Sequence, residues 1–242
     1  MTPEISIVIP LYNEAENVRI LQGEVRAALE GIPYELILVD DGSTDGTAAA
    51  VEAAPEVRLL EFTKNAGQSA AMLAGMRVAR GAVLVLLDGD LQNDPRDVPK
   101  LLAEIEKGAD LVCGYRAKRM DSTVKKLTGR IANFIRSRFV ADGIRDTGCT
   151  LKAMRRECVA ALVPFHGMHR FIPALVKNAG FRIVEIPVNH RARRFGASKY
   201  GLGNRAARAT LDMLGVRWLQ SRRLTYDLRG SGEAGEGTEF FD

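Results

Sequence analysis

The sequence has little of what marks secreted, disulfide-bonded or membrane-spanning proteins. Its 242 residues include three cysteines, an odd number without framework spacing: Cys113, Cys149 and Cys158. We interpret them as reduced structural thiols of a cytosolic protein. No apolar run approaches the roughly 18 residues that a membrane-spanning helix needs. The first ten residues lack a basic leader and a small-residue cleavage site, so we expect a strand there, not a signal peptide.

The common signatures of zinc and phosphate sites are missing as well. The three histidines, His166, His169 and His190, lack metal-site spacing, so histidine-bound zinc is not expected. There is no G-x-x-x-x-G-K-[ST] loop, and no G-x-G-x-x-G follows the first predicted strand. Any bound phosphate would therefore be held by a metal ion and by arginine, without a glycine-rich backbone cradle.

Hydrophobic residues make up 46% of the chain, enough for one substantial core. The formal net charge is +4, but the positive charge is unevenly distributed. Residues Arg116 to Arg138 hold eight Lys or Arg and one Asp, and Arg182 to Arg208 hold seven and one Glu. A solvated basic face is the usual reason for such runs.

Short apolar runs alternate with helical patterns along the first half of the chain. The strand-like runs are ISIVIPL, ELILVDD, VRLLEF, AVLVLLDGD and DLVCGYR. Helices are predicted over about 15–30, over TDGTAAAVEAA with Thr44 or Asp45 as its cap, over 68–80 and over about 97–107. This alternation predicts an α/β fold with a mainly parallel sheet and helices on both faces.

Acidic and amide residues lie where three of these strands end. Asn13 and Glu14 follow the first strand, Asp40 and Asp41 the second, and Asp88 and Asp90 the fourth. Right-handed crossovers place the carboxyl ends of parallel strands on one edge, where ligands of such sheets bind. Each site alone could be a turn or a cap, but together the three predict a binding rim.

Asp88 and Asp90 bring two carboxylates one residue apart at the end of a buried strand. Hard oxygen ligands of this kind suit Mg²⁺ or Mn²⁺. Because two carboxylates do not complete an octahedron, such a site usually recruits water and substrate phosphates. We therefore expect a metal-bridged diphosphate at this rim.

An ordered set of motifs resembles the family 2 glycosyltransferases, and among them the polyprenyl-phosphate (dolichol-phosphate mannosyltransferase-like) glycosyltransferases. The motifs are VIPLYNEAENV, VDDGSTDGT, KNAGQSAAMLAG, LDGDLQNDP, CGYR, RDTGCTLKAMRR and EIPVNHRARRFGASKYG, within residues 5–219. A lone D-x-D is weak, whereas this ordered set is specific. The resemblance implies a GT-A type nucleotide-binding fold.

The resemblance also implies roles for particular residues. Asp88, Asp90 and Asp146 would be catalytic, although a turn role for Asp146 is an open alternative. Asp90 and Gln92 would hold Mg²⁺ or Mn²⁺. The implied donor-binding residues are Pro10, Tyr12, Glu14, Val39, Asp40, Asp41, Asp88, Gly89, Arg116, Arg193 and Lys199.

The reaction implied is an inverting transfer of one sugar from a nucleotide-diphosphate sugar to a polyprenyl phosphate, of undecaprenyl or dolichyl type. Processive relatives carry Q-x-x-R-W, and this chain has Leu214 in place of the glutamine, which favours single transfer. The alternatives are a different acceptor or a non-catalytic sugar-nucleotide-binding subunit of a membrane complex. A haloacid-dehalogenase-type phosphatase does not fit, because Leu91 and Gln92 follow the D-x-D. Nucleic-acid binding would rest on the basic runs alone.

Many relatives end in membrane-spanning helices, which this sequence does not contain. Residues 123–139 and 211–224 form basic amphipathic patterns, the first with Leu127, Ile131, Phe134 and Ile135, the second with Leu211, Leu214 and Trp218 beside Arg217, Arg222 and Arg223. Such helices bind membrane surfaces or pack on a core. We expect a catalytic domain over 1–205, an amphipathic basic segment over 206–230 and a disordered acidic tail over 231–242. The protein would act at the cytoplasmic face of the membrane, with a small membrane-spanning partner as one option.

Overall fold

Seven strands and five helices make up the described part of the chain. The computed structural model describes residues 3–117, 139–140, 142–195 and 203–222, with backbone only for 203–209. The strands are β1 (Ile5–Leu11), β2 (Tyr34–Asp40), β3 (Val57–Glu61), β4 (Val83–Leu86), β5 (Leu111–Arg116), β6 (Lys152–Arg155) and β7 (Ile183–Val188). The helices are α1 (Ala15–Ala28), α2 (Gln68–Val78), α3 (Val98–Glu106), α4 (Ile172–Asn178) and α5 (Gly203–Ser221).

The strands form one sheet in the order β3-β2-β1-β4-β6-β5-β7. Strand β1 pairs in parallel with both β2 and β4, and β5 pairs in parallel with β7. Strand β6 is antiparallel to both of its neighbours, β4 and β5. The predicted mainly parallel sheet is confirmed, and the carboxyl ends of β2, β1 and β4 lie side by side on one edge.

Alternate side chains of the central strands divide the core into two apolar clusters, one on each face of the sheet. Val8 and Ile37 pack with α2 and α4 on one face, whereas Ile7 and Leu36 pack with α1 and α3 on the other. Because both faces are covered, the central strands β1 and β4 are apolar almost without interruption. The expected helices on both faces are therefore confirmed.

One local expectation is wrong, and one strand was not predicted. The segment predicted as a helix over TDGTAAAVEAA forms only a 3₁₀ turn, Ala48–Ala50. Its polar residues serve α1 instead: Asp45 accepts a hydrogen bond from the backbone N–H of Ala15 (3.1 Å), and Thr47 accepts one from that of Glu14 (2.8 Å). Strand β6 was not predicted, because its four residues begin with Lys152 and end with Arg155 and so lack an apolar run.

The C-terminal helix α5 spans the boundary expected near residue 205. Val216 is buried in the same core cluster as α2 and α4, so α5 packs on the sheet domain at this point. The acidic tail and most of residues 123–139 lie outside the described residues. Among those described, no helix combines the length and apolarity that crossing a membrane requires.

All three cysteines are free and buried, in agreement with their interpretation as structural thiols. Burial raises the pKa of both Cys113 and Cys158 to about 12. These two thiols therefore stay protonated near neutral pH, and we assign them no role at the rim.

Candidate functional site

The predicted rim exists at the carboxyl edge of β2, β1 and β4. Gly89, between the two aspartates that follow β4, lies so close to the end of β1 that a Cβ there would be 2.7 Å from Leu11 Cδ2 and 3.2 Å from Pro10 O. The same Cβ would be 3.5 Å from Glu14 Cγ. A side chain at this position would crowd Leu11 and the Pro10 carbonyl, so the glycine favours the close approach of the two chain segments that brings the ends of the first and fourth strands to one site.

Asp88 is held by side chains from two other segments. Its Oδ1 accepts a hydrogen bond from Gln68 Nε2 (2.8 Å), and its Oδ2 accepts one from Thr150 Oγ1 (2.6 Å). The pKa of Asp88 is raised to about 6, mainly by burial and to a smaller extent by repulsion from Asp90. The Thr150 hydrogen bond and the positive charges of Lys152 and Arg193 act in the opposite direction but do not cancel these effects.

Asp90 is paired with an arginine from the segment that follows β7. Arg193 Nη2 donates to Asp90 Oδ2 at 2.7 Å, with 13% of the Asp90 side chain and 29% of the Arg193 side chain exposed. The other oxygen, Oδ1, accepts from the backbone N–H of Gln92 (3.1 Å). The structure therefore brings together three residues predicted for the diphosphate and its metal.

Two residues beside the rim adopt left-handed backbone conformations that are uncommon outside glycine. Asn13 has φ 51° and Leu91 has φ 61°. Asn13 uses its conformation to tie two loops together, because its Oδ1 accepts from the backbone N–H of Thr44 (2.8 Å). Leu91 lacks such a polar side chain and is buried, so packing holds its strained backbone next to Asp90.

The residues at the end of β2 are engaged within the protein. Asp41 is 3% exposed and accepts from the backbone N–H groups of Ala66 (2.7 Å) and Gly67 (2.9 Å). Burial outweighs these hydrogen bonds and raises the pKa of Asp41. Asp40 is also buried and accepts from the backbone N–H of Ser43 (3.2 Å), while Val39 lies in the core. All three side chains are therefore buried, and the two carboxylates are hydrogen-bonded within the protein.

Arg116, at the carboxyl end of β5, forms a bidentate ion pair with Asp146. Arg116 Nε and Nη2 donate to the two carboxylate oxygens of Asp146 at 2.7 and 2.8 Å. The segment 146–150 carries Asp146 at one end and Thr150, which holds Asp88, at the other. One short loop thus connects the predicted phosphate-binding arginine to the predicted catalytic aspartate.

The remaining predicted site residues, Tyr12, Gln92 and Lys199, have fewer described contacts with the rest of the rim. Tyr12 is 36% exposed just beyond the end of β1. Gln92 Nε2 donates to the backbone oxygen of Arg191 at 3.4 Å. Lys199 lies outside the described residues. Within those described, no group of three or more His, Cys, Asp and Glu side chains forms a metal cage, so metal binding here would need oxygens from Gln92, water or substrate.

Four polar residues that support the rim were not singled out from the sequence. Gln68 and Thr150 hold Asp88, and Lys152, which is 3% exposed, donates to the backbone oxygen of Cys149. Arg191 joins Asp94 (2.6 Å) to Glu24 (2.7 Å). All four lie in or beside the motif segments, which was the available signal. The partners of Gln68, Thr150 and Arg191 are distant in sequence, whereas Lys152 bonds to a residue three positions earlier.

Comparison with known proteins shows which family the sequence matches. A family model described as Glycosyl transferase family 2 matches residues 6–162. The chain is 41% identical over 224 residues to dodecaprenyl-phosphate galacturonate synthase of Rhizobium johnstonii, covering 88% of this chain and 66% of that protein. It is 41% identical over 206 residues to undecaprenyl-phosphate 4-deoxy-4-formamido-L-arabinose transferase of Yersinia enterocolitica, covering 82% and 63%. The chain thus spans slightly less than two thirds of the length of these relatives.

Solved structures of glucosyl-3-phosphoglycerate synthase from Mycobacterium tuberculosis have the same fold. The complex with Mn²⁺, UDP and phosphoglyceric acid has a TM-score of 0.69 at 18% identity and covers 92% of this chain and 80% of that one. The complex with Mg²⁺ and UDP has a TM-score of 0.68 at 19% identity and covers 89% and 79%. The expected GT-A type fold is confirmed.

Proposed function

Because the chain belongs to glycosyl transferase family 2, we propose that it transfers a single sugar from a nucleotide-diphosphate sugar to a polyprenyl phosphate. The names of the curated relatives support a polyprenyl-phosphate acceptor of undecaprenyl or dodecaprenyl type. Those names contain two different sugars, so we leave the sugar open. Solved structures of the same fold with bound UDP support a nucleotide-diphosphate donor.

The main support for this proposal is that acidic residues and arginines lie together at one edge of the sheet. Arg193 pairs with Asp90, and the loop 146–150 links Asp88, through Thr150, to the Arg116–Asp146 ion pair. A transfer between a diphosphate donor and a phosphate acceptor brings two anions together, and fixed arginines favour that encounter because a guanidinium matches phosphate oxygens.

The rim also fits a divalent metal ion. Its donors are hard oxygens, and a positive group, the Arg193 guanidinium, already pairs with Asp90. Repulsion between Asp88 and Asp90 is one reason for the raised pKa of Asp88, and a cation would relieve it. We propose that Asp90 and Gln92 hold Mg²⁺ or Mn²⁺, which when bound would stabilise the charge of the leaving diphosphate.

We assign the other residues by what they contact. Asp146 is a positioning residue, because both of its carboxylate oxygens are engaged by Arg116. Arg116 would meet the acceptor phosphate or the diphosphate. No strong general base is needed, since a phosphate monoester with a second pKa near 6 is already anionic at neutral pH. Tyr12 and Glu14 would border the nucleotide, and Lys199 stays a predicted phosphate contact.

We further propose that α5 binds the cytoplasmic membrane surface, where the acceptor would be found. Leu211, Leu214 and Trp218 share one face of this helix and are 67%, 51% and 60% exposed. Arg217 and Arg222 are exposed beside them. An apolar stripe with a tryptophan and flanking arginines is typical of interfacial helices, and each basic residue adds roughly 1 kcal/mol near an anionic leaflet.

Donor choice is tested by thermal-shift screening of UDP-sugars and GDP-sugars with Mg²⁺. We expect one nucleotide class to raise the melting temperature in a metal-dependent way, because only the folded rim binds it. The Asp90→Asn variant, which retains the loop but loses the metal carboxylate, should lose the metal dependence. Equal shifts with and without metal in both proteins would contradict the proposed diphosphate site.

A further inference from the structure

Arg193 occupies the carboxylate that the proposed metal ion requires. Its Nη2 lies 2.7 Å from Asp90 Oδ2, and this is the only ion pair that Arg193 makes with the described residues. The pair is partly buried on both sides, which weakens competition from water. A divalent ion that uses Asp90 must therefore displace a guanidinium already in place.

The backbone that carries Arg193 is fastened to the loop of the acid pair. Asn189 donates its backbone N–H to the carboxylate of buried Asp97 (2.6 Å), and Arg191 donates its backbone N–H to Gln92 O (2.9 Å). The Arg191 guanidinium adds an ion pair with Asp94 at 2.6 Å. Because these contacts do not involve Asp90, the Arg193 side chain can leave Asp90 while the backbone before it stays in place.

We propose that Arg193 makes metal binding at Asp90 conditional on the nucleotide diphosphate. This inference rests on the proposed function, specifically on Asp90 as a metal ligand. Without nucleotide, the guanidinium neutralises Asp90 and competes with the ion. A diphosphate offers the guanidinium a more highly charged partner with matching oxygens, and this releases Asp90 to the ion. By linkage, metal and nucleotide then strengthen each other's binding by the same factor.

The test is the affinity for Mn²⁺, measured by electron paramagnetic resonance of the free ion, with and without UDP and, in parallel, GDP. We expect Arg193→Gln to bind Mn²⁺ about fivefold more tightly than wild type without nucleotide, the factor that corresponds to about 1 kcal/mol for a partly exposed ion pair. In Arg193→Gln, the factor by which nucleotide increases the Mn²⁺ affinity should be at least about fivefold smaller than in wild type. Arg193→Lys, which keeps the charge, should lie between the two proteins.

Arg194→Gln is the matched control, because Arg194 is exposed, carries the same charge on the same segment and does not contact Asp90. It should bind Mn²⁺ as the wild type does. Equal nucleotide-free affinities in wild type, Arg193→Gln and Arg194→Gln would overturn the conditional-binding inference and leave the metal site standing. An equal tightening in both variants would overturn it too, since a general charge effect would then suffice. No Mn²⁺ binding by wild type even with nucleotide would overturn the metal site itself, and this inference with it.

Discussion

Replacing Asp88 by asparagine should stabilise the metal-free protein and abolish its activity. The pKa of Asp88 is raised from 3.8 to about 6, first by burial and then by Asp90. Folding therefore favours the protonated form, and stability falls as pH rises from about 4 to about 6 and stays low above that. A shift of about two pKa units corresponds to a loss of about 3 kcal/mol in the free energy of unfolding when Asp88 ionises. Because the Asp88 side chain is partly exposed to solvent, we expect a loss of about 1.5–3 kcal/mol.

The asparagine side chain of Asp88→Asn would be uncharged at every pH. Gln68 and Thr150 both donate to Asp88 in the wild type. The amide oxygen of asparagine can still accept from Gln68, and its NH₂ group can donate to Thr150 Oγ1, because a hydroxyl can accept as well as donate. In urea titrations with EDTA, Asp88→Asn should exceed wild type by about 1.5–3 kcal/mol at pH 8, and the difference should vanish near pH 4. If Asp88→Asn were no more stable than wild type at pH 8, or if its gain in stability were as large at pH 4 as at pH 8, ionisation of Asp88 would not be the cause.

Asp94→Asn serves as the control with the opposite sign. Burial would raise the pKa of Asp94, but hydrogen bonds from Arg96 and Arg191 lower it to about 2. Its carboxylate therefore stabilises the fold above about pH 4, and this stabilisation is lost as pH falls toward 2. Asp94→Asn should destabilise the protein by about 1–2 kcal/mol at pH 8, so a general effect of removing negative charge is distinguished from the effect at Asp88.

Three further substitutions test the roles proposed for Asp146, Trp218 and Gly89. Asp146→Asn should lower kcat/KM about tenfold or more while leaving the melting temperature within a few degrees, because Arg116 loses half of its bidentate partner; an unchanged kcat/KM would exclude the positioning role. Trp218→Ser should reduce co-sedimentation with anionic liposomes at low salt without lowering stability, since the side chain is 60% exposed; equal pelleting of variant and wild type would exclude this contact. Gly89→Ala should cost about 1–3 kcal/mol in urea titrations, because the new Cβ would lie 2.7 Å from Leu11 Cδ2; wild-type stability would contradict the close approach.

Much of the architecture followed from the sequence, because strands buried on both faces leave unbroken apolar runs. The runs that became β1, β2 and β4 also located Asp88 and Asp90, since parallel strands deliver their ends to one edge. The motif resemblance added Arg193, which the structure brings to Asp90.

The rest depended on contacts between distant segments. Gln68 reaches Asp88 across 20 residues, and Thr150 reaches it across 62, separations that no local pattern encodes. The helix expected near Thr44 failed because the polar residues of that segment cap α1 instead of their own helix. Strand β6 is defined by pairing with β4 and β5 and not by its own composition.

Sugar transfer can be measured directly with nucleotide-sugar donors and undecaprenyl phosphate in detergent with Mn²⁺. We expect a lipid-linked sugar phosphate whose anomeric configuration, assigned by NMR, is inverted relative to the donor. Excess EDTA should abolish its formation, and Asp90→Asn should lower kcat by about 10² or more, as for loss of one preorganised electrostatic group. Full activity in EDTA would contradict the proposed metal dependence, and release of free sugar without a lipid product from every UDP- and GDP-sugar tried would contradict the proposed acceptor.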